Sequence, residues 1–357
     1  MLPEHVFCKK LFKESCFLCY PGPAKDEDEK QRFFLENGSN LLKELVSSSK
    51  GRWRCNPIRT YSAKEVDEAT NDYISRAEYD EYCKWYKGTL DDRPVLIKKY
   101  YNPYENEAYC DIAISSQMSS HKNALKLLGC CLEFPHPALV YEYAENGHLN
   151  STGGIESNGL SLPWKMRLKI AKDIANAITY LHTSFHTPII HRDIKPSSIF
   201  LDKEYSPKLC DFSFSITIPE GETQVQDEVR GTMGFLEPDY LETSFVSELT
   251  DVYSFRTLLL VFLTGQSAID LNRPANERHI CKYMTELIKR ERQNEIVDPK
   301  ILEGDNIGEE QQLQLQAFLE LALKCTQRKK EDRPLMIDVA KELVRIEKSI
   351  YCPRSLA

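Results

Sequence analysis

The chain has 357 residues, of which 41% are hydrophobic and 28% charged, enough to bury a sizeable core in a two-lobed enzyme with an extension. The 46 basic and 54 acidic residues give a net charge of −8, which argues against sequence-independent nucleic-acid binding and broad adhesion to anionic lipid, since both need a basic surface. No apolar run approaches the ~18 residues of a membrane span, and the longest, Leu258 to Leu263, predicts part of a buried helix.

The first feature along the chain is a C-x-x-C pair, Cys16 and Cys19. A zinc site would need a second pair at suitable spacing, and a thioredoxin-like site would need a strand and a helix around the motif. The sequence provides neither, so a structural or unordered role is expected, with lipidation or redox chemistry as the alternative. Twelve cysteines without a preceding signal peptide predict a reducing compartment, and therefore a soluble cytosolic protein.

Residues 1–60 are predicted to form an extension that is partly disordered. The stretch from Pro21 to Lys30 carries two prolines, a glycine and a run of six charges, which is typical of a linker. Apolar residues recur between positions 31 and 46, but Gly38 and Ser39 interrupt them. One or two short helices that dock on the rest of the protein are therefore expected there.

The pattern changes at Tyr61, where a larger domain is predicted to begin. Ser62 before Glu65 predicts a capping box that opens a short helix reaching Thr70. Short β-like runs follow at residues 85–90, 94–99, 125–133 and 138–143.

After Asn146-Gly147 the apolar spacing becomes helical, with a stripe that begins at Trp164 and recurs every three or four residues. Strands first and helices afterwards predict an α+β fold, with a sheet-rich lobe at residues 61–143 and a larger helical lobe at 144–350. Residues 351–357 remain as a tail.

Three short motifs carry the chemistry: VLIK at residues 95–98, HRDIKPSS at 191–198 and DFS at 211–213. In this order and context they resemble the signature set of the protein kinases. Three motifs that match in the same order are very unlikely to arise by chance. The resemblance implies a bilobal protein-kinase fold, with ATP and Mg²⁺ as the cofactors.

The resemblance also assigns a role to each motif, because catalysis of phosphoryl transfer is mostly positioning and charge stabilisation. Lys98 would hold the α- and β-phosphates of ATP, and Asp193 would accept the proton of the substrate hydroxyl. Lys195 would offset charge on the transferring phosphoryl group, and Asp211 would ligate Mg²⁺.

The rest of the chain, from about residue 61 to 350, resembles the plant receptor-like kinases and their wall-associated group. The resemblance rests on LLGCCLE at 127–133, LVYEY at 139–143, GTMGFLEPDY at 231–240 and DVYSF at 251–255. It implies that Glu142 and Tyr143 lie at the hinge where the nucleotide binds.

The same resemblance equates residues 211–239 with the activation segment and pairs Arg333 with Asp239. The segment has Arg230 as its single base, against the acids Glu220, Glu222, Asp227 and Glu228. Two interpretations stay open for these acids, a solvated loop or a face that receives a basic partner.

The loop that covers the phosphates departs from the family pattern. Aligning the YKG at residues 86–88 with the family places this loop at residues 78–83, where Glu78, Asp80 and Cys83 replace its three glycines. Glycine lets a backbone amide approach a phosphate closely, and a side chain blocks that approach. The acids also repel phosphate, since two unit charges ~4 Å apart repel by about 4 kcal/mol at an effective dielectric of ~20.

Three further positions depart from the pattern. Ser198 replaces the asparagine that binds a second Mg²⁺, and it offers one neutral oxygen of shorter reach. Ser213 replaces the glycine of the DFG motif and stiffens the hinge of the metal-binding aspartate. The acid that pairs with the strand lysine is left open between Asp111 and Glu107. Together these departures favour a pseudokinase, while neutral drift in an active kinase is the alternative for each alone.

A narrower resemblance is to the kinase-deficient, wall-associated-kinase-derived proteins of plant immunity. It rests on FFLENGS at 33–39, SSKG at 48–51, NPIR at 56–59 and SHKN at 120–123. Members of that group are adaptors that associate with an intracellular nucleotide-binding leucine-rich-repeat receptor and engage receptor-like cytoplasmic kinases modified by pathogen effectors.

This narrower resemblance implies an immune adaptor in the cytoplasm, which reaches the plasma membrane only through its partners. Such an adaptor requires no cofactor. The alternative hypothesis is a weak Ser/Thr kinase that uses Asp193 as the base and Asp211 for a single metal ion.

Overall fold

The computed structural model of the chain describes residues 23–49, 58–71, 76–79, 83–101, 107–292, 295–303, 308–325 and 333–348. These residues form two lobes, first a sheet with helices around it and then a larger lobe built mainly from helices. This arrangement confirms the predicted α+β bilobal fold. None of the described helices has the length and apolar character that crossing a membrane requires.

The first lobe is built on a single sheet. Its strands are β1 (Arg59–Thr60), β2 (Arg76–Tyr79), β3 (Cys83–Leu90), β4 (Arg93–Tyr100), β5 (Leu127–Cys131) and β6 (Ala138–Glu142). They lie in the order β1-β5-β6-β4-β3-β2, antiparallel except for the short β1, which runs parallel to β5. The four predicted β-like runs correspond to β3, β4, β5 and β6.

Helices cover both faces of this sheet: α2 (Ala63–Thr70) lies on one and α3 (Glu107–Met118) on the other. The predicted capping box opens α2, with Ser62 Oγ accepting from the Glu65 amide at 3.2 Å and Glu65 Oε2 accepting from the Ser62 amide at 2.7 Å. Side chains alternate along a strand, so residues 96, 98 and 100 of β4 share the α3 side.

The N-terminal extension contains one long helix, α1 (Pro23–Ser49), which packs on α3. The prediction of a linker up to Lys30 was therefore wrong from residue 23 onward. Asp26, near the start of the helix, forms an ion pair with Lys30 at 2.6 Å. An acid in the first turn suits the helix dipole, and the i,i+4 ion pair with Lys30 adds to it, so this charge run is compatible with a helix.

The prediction that Gly38 and Ser39 interrupt the helix was also wrong. The neighbouring Asn37 is 3% exposed and donates to the carbonyl oxygens of Leu132 and Phe134 at 2.7 and 2.8 Å. It also accepts a 2.6 Å hydrogen bond from the Tyr109 hydroxyl of α3. These contacts with the first lobe outweigh the ~1 kcal/mol that a glycine costs inside a helix.

The second lobe is mainly helical. Its helices are α4 (Trp164–Thr183), α5 (Pro238–Thr243), α6 (Glu248–Thr264), α7 (Ile280–Lys289), α8 (Pro299–Leu302), α9 (Glu309–Lys324) and α10 (Met336–Lys348). The predicted helical stripe that begins at Trp164 forms α4. The predicted buried run lies in α6, in which residues 250–264 are all buried.

Short strand pairs position the loops between the lobes. These strands are β7 (Ile189–Ile190), β8 (Ile199–Leu201), β9 (Pro207–Leu209), β10 (Ile216–Thr217), β11 (Val225–Gln226) and β12 (Phe245–Val246). The β8–β9 hairpin brings the loops before and after it together, while β7 pairs with β10 and β11 with β12. The HRD and DFS motifs therefore meet beneath β4, which carries Lys98.

Candidate functional site

Asp251 holds the HRD loop in place from the core of the second lobe. This fully buried carboxylate of α6 accepts hydrogen bonds from the backbone amides of His191 and Arg192 at 2.8 and 2.9 Å. It also bonds to the ring of His182 at 2.8 Å. Arg192 is thereby kept at a φ of +67°, a left-handed conformation that costs a non-glycine residue roughly 1–2 kcal/mol. The shape of the loop is therefore a property of the second lobe itself.

Asp193, the predicted base, is 2% exposed and has a partner on each carboxylate oxygen. Lys195 Nζ lies 2.7 Å from Oδ2, and Thr232 Oγ1 donates to Oδ1 at 2.6 Å. Lys195 also donates to Thr232 Oγ1 at 3.0 Å. These three side chains form a closed triangle, which fixes the orientation of the carboxylate.

Ser198 closes the loop from inside. Its hydroxyl donates to the backbone oxygen of Asp193 at 2.8 Å and accepts from the backbone amide of Lys195 at 3.3 Å. An asparagine could donate through its amide nitrogen and keep a separate carbonyl oxygen for a metal ion. Ser198 has one oxygen for both tasks, and the residue is 1% exposed. The substitution preserves the loop without preserving the metal ligand.

Lys98 ends in a completely buried ammonium group whose three protons are all used within the protein. Its Nζ donates to Asp111 Oδ2 at 2.7 Å, to Asp211 Oδ1 at 2.6 Å and to Ser213 Oγ at 3.1 Å. A phosphate could reach this ammonium only by displacing one of these partners. A displaced carboxylate would stay buried without its cation, which is strongly unfavourable.

Asp111 is the acid from α3 that pairs with Lys98, so the structure decides between the two candidates that the sequence left open. Its fully buried carboxylate accepts hydrogen bonds of 2.7–3.1 Å from Lys98, Tyr100, Ser115, Tyr141 and the backbone amide of Phe212. The other candidate, Glu107, pairs instead with Arg230 of the activation segment at 3.2 Å.

Burial and the neighbouring charges shift the pKa values of Lys98 and Asp211 in opposite directions. Burial alone would lower the pKa of Lys98, but Asp111 and Asp211 raise it, so the pKa lies well above that of an ordinary lysine. Burial alone would raise the pKa of Asp211, but Lys98 and Lys195 lower it, so this pKa lies well below the usual range. Both groups are therefore charged at neutral pH, and each compensates the charge of the other.

Asp211, the predicted magnesium ligand, already has two partners on Oδ1, the ammonium of Lys98 and the hydroxyl of Ser213. Magnesium in proteins takes several oxygen ligands in near-octahedral geometry. Within the described ranges, no group of three His, Cys, Asp or Glu side chains could hold a metal ion. Oδ1 of this carboxylate is therefore engaged by the protein, and the role of Asp211 as a magnesium ligand stays a prediction.

The activation segment is tied to both lobes. Arg192 Nη1 pairs with Asp227 at 2.6 Å, while the amide of Arg230 donates to the hydroxyl of Tyr240 at 2.9 Å. Asp227 is half-buried against Arg192, whereas Glu220, Glu222 and Glu228 are exposed. The acidic face expected from the sequence therefore contains three of its four acids. Whether this face binds a basic partner stays a prediction.

Arg333 forms the predicted ion pair with Asp239, but it has a closer partner that the sequence did not indicate. Its Nη1 pairs closely with Oε1 of Glu237, which is fully buried. Asp239 lies 4.0 Å from the other guanidinium nitrogen, and its side chain is 45% exposed. Burial distinguishes the two pairs. The pair with Glu237 is shielded from water and holds the end of the activation segment to the second lobe, whereas the pair with Asp239 is exposed.

The two predicted hinge residues connect the lobes. Glu142 ends β6, and its Oε1 accepts from the backbone amide of Lys126 at 3.1 Å and lies 3.5 Å from Nζ of Lys208. Glu142, Tyr143 and Lys208 line a groove of about 230 Å³ between the lobes. The side chain of Glu142 is therefore engaged with the protein, and the nucleotide-binding role of the hinge stays a prediction.

Part of the predicted glycine-free loop lies outside the described residues, as do Cys16 and Cys19. Glu78 is placed on β2, and Asp80 falls in the gap that follows. Cys83 begins β3, is 4% exposed and lies opposite Tyr100 in the sheet. The third glycine position of the family is therefore occupied by a buried thiol.

Sequence reasoning did not identify Tyr100 or Thr232 as members of this site. A signal for Tyr100 was present, since it lies two residues after Lys98 on the same face of β4. Thr232 lies 39 positions from Asp193, and no local pattern joins them.

Comparisons with known proteins agree with this architecture. The sequence model described as protein kinase domain matches residues 86–344. Serine/threonine-protein kinase ZRK1 of Arabidopsis thaliana is 46% identical over 92% of this chain and 96% of its own length. Two relatives from the same plant are non-functional pseudokinase ZED1, 46% identical over 91% of this chain and 99% of its own, and non-functional pseudokinase ZRK2, 42% identical over 90% and 92%.

Proposed function

This chain is a member of the protein kinase family, and from that premise we propose that it uses the kinase fold as a binding surface. In this proposal it is a pseudokinase adaptor of plant innate immunity. It links an intracellular nucleotide-binding leucine-rich-repeat receptor to receptor-like cytoplasmic kinases that a pathogen effector has modified. The role requires neither ATP nor Mg²⁺.

The observation that carries the proposal is the engagement of Lys98. All three of its protons have protein partners, two of them carboxylates, so the group that would hold the phosphates of ATP is already neutralised. Ser198 and Asp211 support the same proposal, because the hydroxyl of Ser198 and Oδ1 of Asp211 already have partners within the protein. The names of ZED1 and ZRK2, both non-functional pseudokinases, are consistent with it.

The alternative function is a weak Ser/Thr protein kinase. One observation favours it: Asp193, Lys195 and Thr232 keep the arrangement that orients a general base. The relative ZRK1 is named a serine/threonine-protein kinase. The loop geometry has a second explanation, however, since Asp251 and Ser198 hold it in place for structural reasons.

A phosphotransfer assay separates the two functions. Purified protein is incubated with Mg²⁺ and radiolabelled ATP beside the variant Asp193→Asn, which removes the base and keeps the side-chain size. We expect transfer by the wild type to equal that of the variant, since a lost general base alone costs an active enzyme about 10²–10⁴ in rate. Transfer that disappears in the variant would make this chain an enzyme.

We propose that the receptor-facing surface of the adaptor is α1, which lies outside the matched kinase domain. Leu35, Leu42 and Val46 fall on one face of this helix at spacings of seven and four, and they are 64%, 55% and 50% exposed. The opposite side of α1 is fixed to the first lobe through Asn37 and Leu41. An apolar stripe on an anchored helix suits a protein partner.

Charge placed on this stripe is expected to weaken receptor capture. The double variant Leu35→Glu, Leu42→Glu should recover at least about tenfold less leucine-rich-repeat receptor from leaf extract, because apolar anchors dominate interface energy. The exposed Lys43→Glu variant, which adds a carboxylate beside the stripe, is the matched control. Equal capture by all three proteins would place the receptor surface elsewhere on the molecule.

A further inference from the structure

Polar contacts cross the cleft between the two lobes at the centre of the site. From β4, Lys98 Nζ donates to Asp211 Oδ1 at 2.6 Å and to Ser213 Oγ at 3.1 Å. The hydroxyl of Tyr100, two residues further along the strand, lies 2.9 Å from Ser213 Oγ. These contacts join the sheet of the first lobe to the start of the activation segment.

Helix α3 of the first lobe also makes a polar contact across the cleft. The backbone amide of Phe212 donates to Asp111 Oδ1 at 3.1 Å, and the hydroxyl of Tyr100 donates to Asp111 Oδ2 at 2.8 Å. Asp111 and Tyr100 therefore both reach across to residues 212 and 213. The cluster is shielded from water, since Tyr100 is 5% and Ser213 9% exposed.

The hydroxyls of Tyr100 and Ser213 have one proton each, which limits how the bonds are arranged. One chain runs from Tyr100 through Ser213 to Asp211, and another runs from Ser213 through Tyr100 to Asp111. Both chains use the two protons and cross the cleft. In a third arrangement Tyr100 donates to Asp111 and Ser213 to Asp211, and the 2.9 Å contact between the two hydroxyls then holds no proton. Removing either hydroxyl breaks both chains, and removing that of Ser213 also takes away the third partner of the Lys98 ammonium.

We propose that Lys98, Tyr100, Asp111, Asp211 and Ser213 form a permanent latch that holds the cleft closed in the absence of any nucleotide. In a catalytic kinase the nucleotide and its metal ions occupy the space between the lysine and the aspartate. Here the side chains of this cross-lobe latch bridge the lobes directly. The latch keeps the start of the activation segment in one conformation whether or not ATP is present.

Ser213 and Tyr100 are the residues that distinguish this latch from the ion pairs of an ordinary kinase site. A glycine at position 213, as in the family motif, has no hydroxyl to receive Lys98 or to reach Tyr100. The exchange of glycine for serine therefore does more than stiffen a hinge, because it adds a side chain that bonds to Lys98, Tyr100 and Asp211. The inference does not depend on the adaptor role, since it concerns the free protein.

Hydrogen–deuterium exchange of the nucleotide-free protein tests the latch. Tyr100→Phe removes one hydroxyl and keeps the aromatic ring. Ser213→Ala removes the other hydroxyl and keeps the Cβ that stiffens the backbone. We expect each variant to accelerate amide exchange about tenfold at residues 93–100 and 209–217. The exchange rate of α6 should not change. The double variant should exchange little faster than either single variant, because the two hydroxyls act through one shared chain.

The control is Tyr86→Phe, which removes another tyrosine hydroxyl of the first lobe, one that pairs with the hydroxyl of Tyr101 away from this cluster. It should leave exchange at residues 209–217 unaltered. Unchanged exchange at residues 209–217 in both latch variants would overturn the proposal. An equal acceleration in α6 would also overturn it, because the hydroxyls would then support overall stability and not closure of the cleft. The experiment uses neither partner nor ATP, so its outcome is separate from that of the adaptor proposal.

Discussion

Replacing Asp111 with alanine is expected to lower the free energy of unfolding by roughly 3–5 kcal/mol, the range measured when one partner of a buried ion pair is removed. The carboxylate is fully buried and is the acceptor for Lys98, Tyr100 and Tyr141. Its loss leaves the ammonium with Asp211 as its remaining carboxylate and leaves two tyrosine hydroxyls short of an acceptor. A change of this size is a large fraction of the stability of a typical protein.

Urea unfolding followed by circular dichroism measures this effect, with the exposed Glu145→Ala variant as control. The control should change the unfolding free energy by no more than about 0.5 kcal/mol, as is usual for surface substitutions. A loss below about 1 kcal/mol for Asp111→Ala would mean that the acid is not the centre of a buried network. The lysine would then have to find its compensation elsewhere.

Replacing Asp251 with alanine should cost a similar amount, roughly 3–5 kcal/mol, because each buried donor left unpaired costs about 1–3 kcal/mol. The donors are the amides of His191 and Arg192 and the ring of His182. Arg192 would also be released from its left-handed backbone conformation. Since Arg192 holds Asp227, we expect the activation segment to lose protection from amide exchange in the same variant.

The isosteric variant Asp251→Asn distinguishes lost hydrogen bonds from lost volume. Its amide nitrogen would face a backbone N–H, so it should also destabilise the protein and also deprotect the activation segment. Thermal unfolding and amide exchange of both variants supply the measurement. If Asn proved as stable as the wild type while Ala did not, packing and not hydrogen bonding would explain the role of this residue.

Asp251 also explains why the catalytic motifs survive in a chain that we propose has no catalytic duty. The amides of His191 and Arg192 are bonded to the core, and the backbone oxygen of Asp193 receives the hydroxyl of Ser198. Changing this loop would therefore disturb the second lobe even without any phosphoryl transfer. Persistence of the motif is weak evidence for an active enzyme, since the side chain of Arg192 also holds Asp227 and the backbone oxygen of Phe214.

The class of fold, the four longest strands and the helices α2 and α4 could be predicted from the sequence alone. Short β-like runs predicted four strands, and the capping box at Ser62 predicted the start of α2, because these signals act over a few residues. The sequence also identified Lys98, Asp193 and Asp211 from their motifs. Their order along the chain carries that information without any knowledge of contacts.

The continuity of α1 was decided by tertiary structure. Local propensity favours a break at Gly38, but Asn37 bonds to Leu132 and Phe134, which lie some 95 residues away. No pattern within the helix reports those partners. A local signal worth about 1 kcal/mol was overridden by buried contacts that only the assembled lobe provides.

The state of the candidate site was likewise decided by tertiary structure. The sequence showed that Ser213 replaces a glycine, yet it could not show that its hydroxyl reaches Lys98 and Tyr100, more than 110 positions earlier. Nor could it choose Asp111 over Glu107, because both lie on α3 and only the packing of that helix sets which one faces the strand. Motifs record which groups are present, whereas their protonation, their partners and their freedom to bind a phosphate depend on distances that arise only when the two lobes close together.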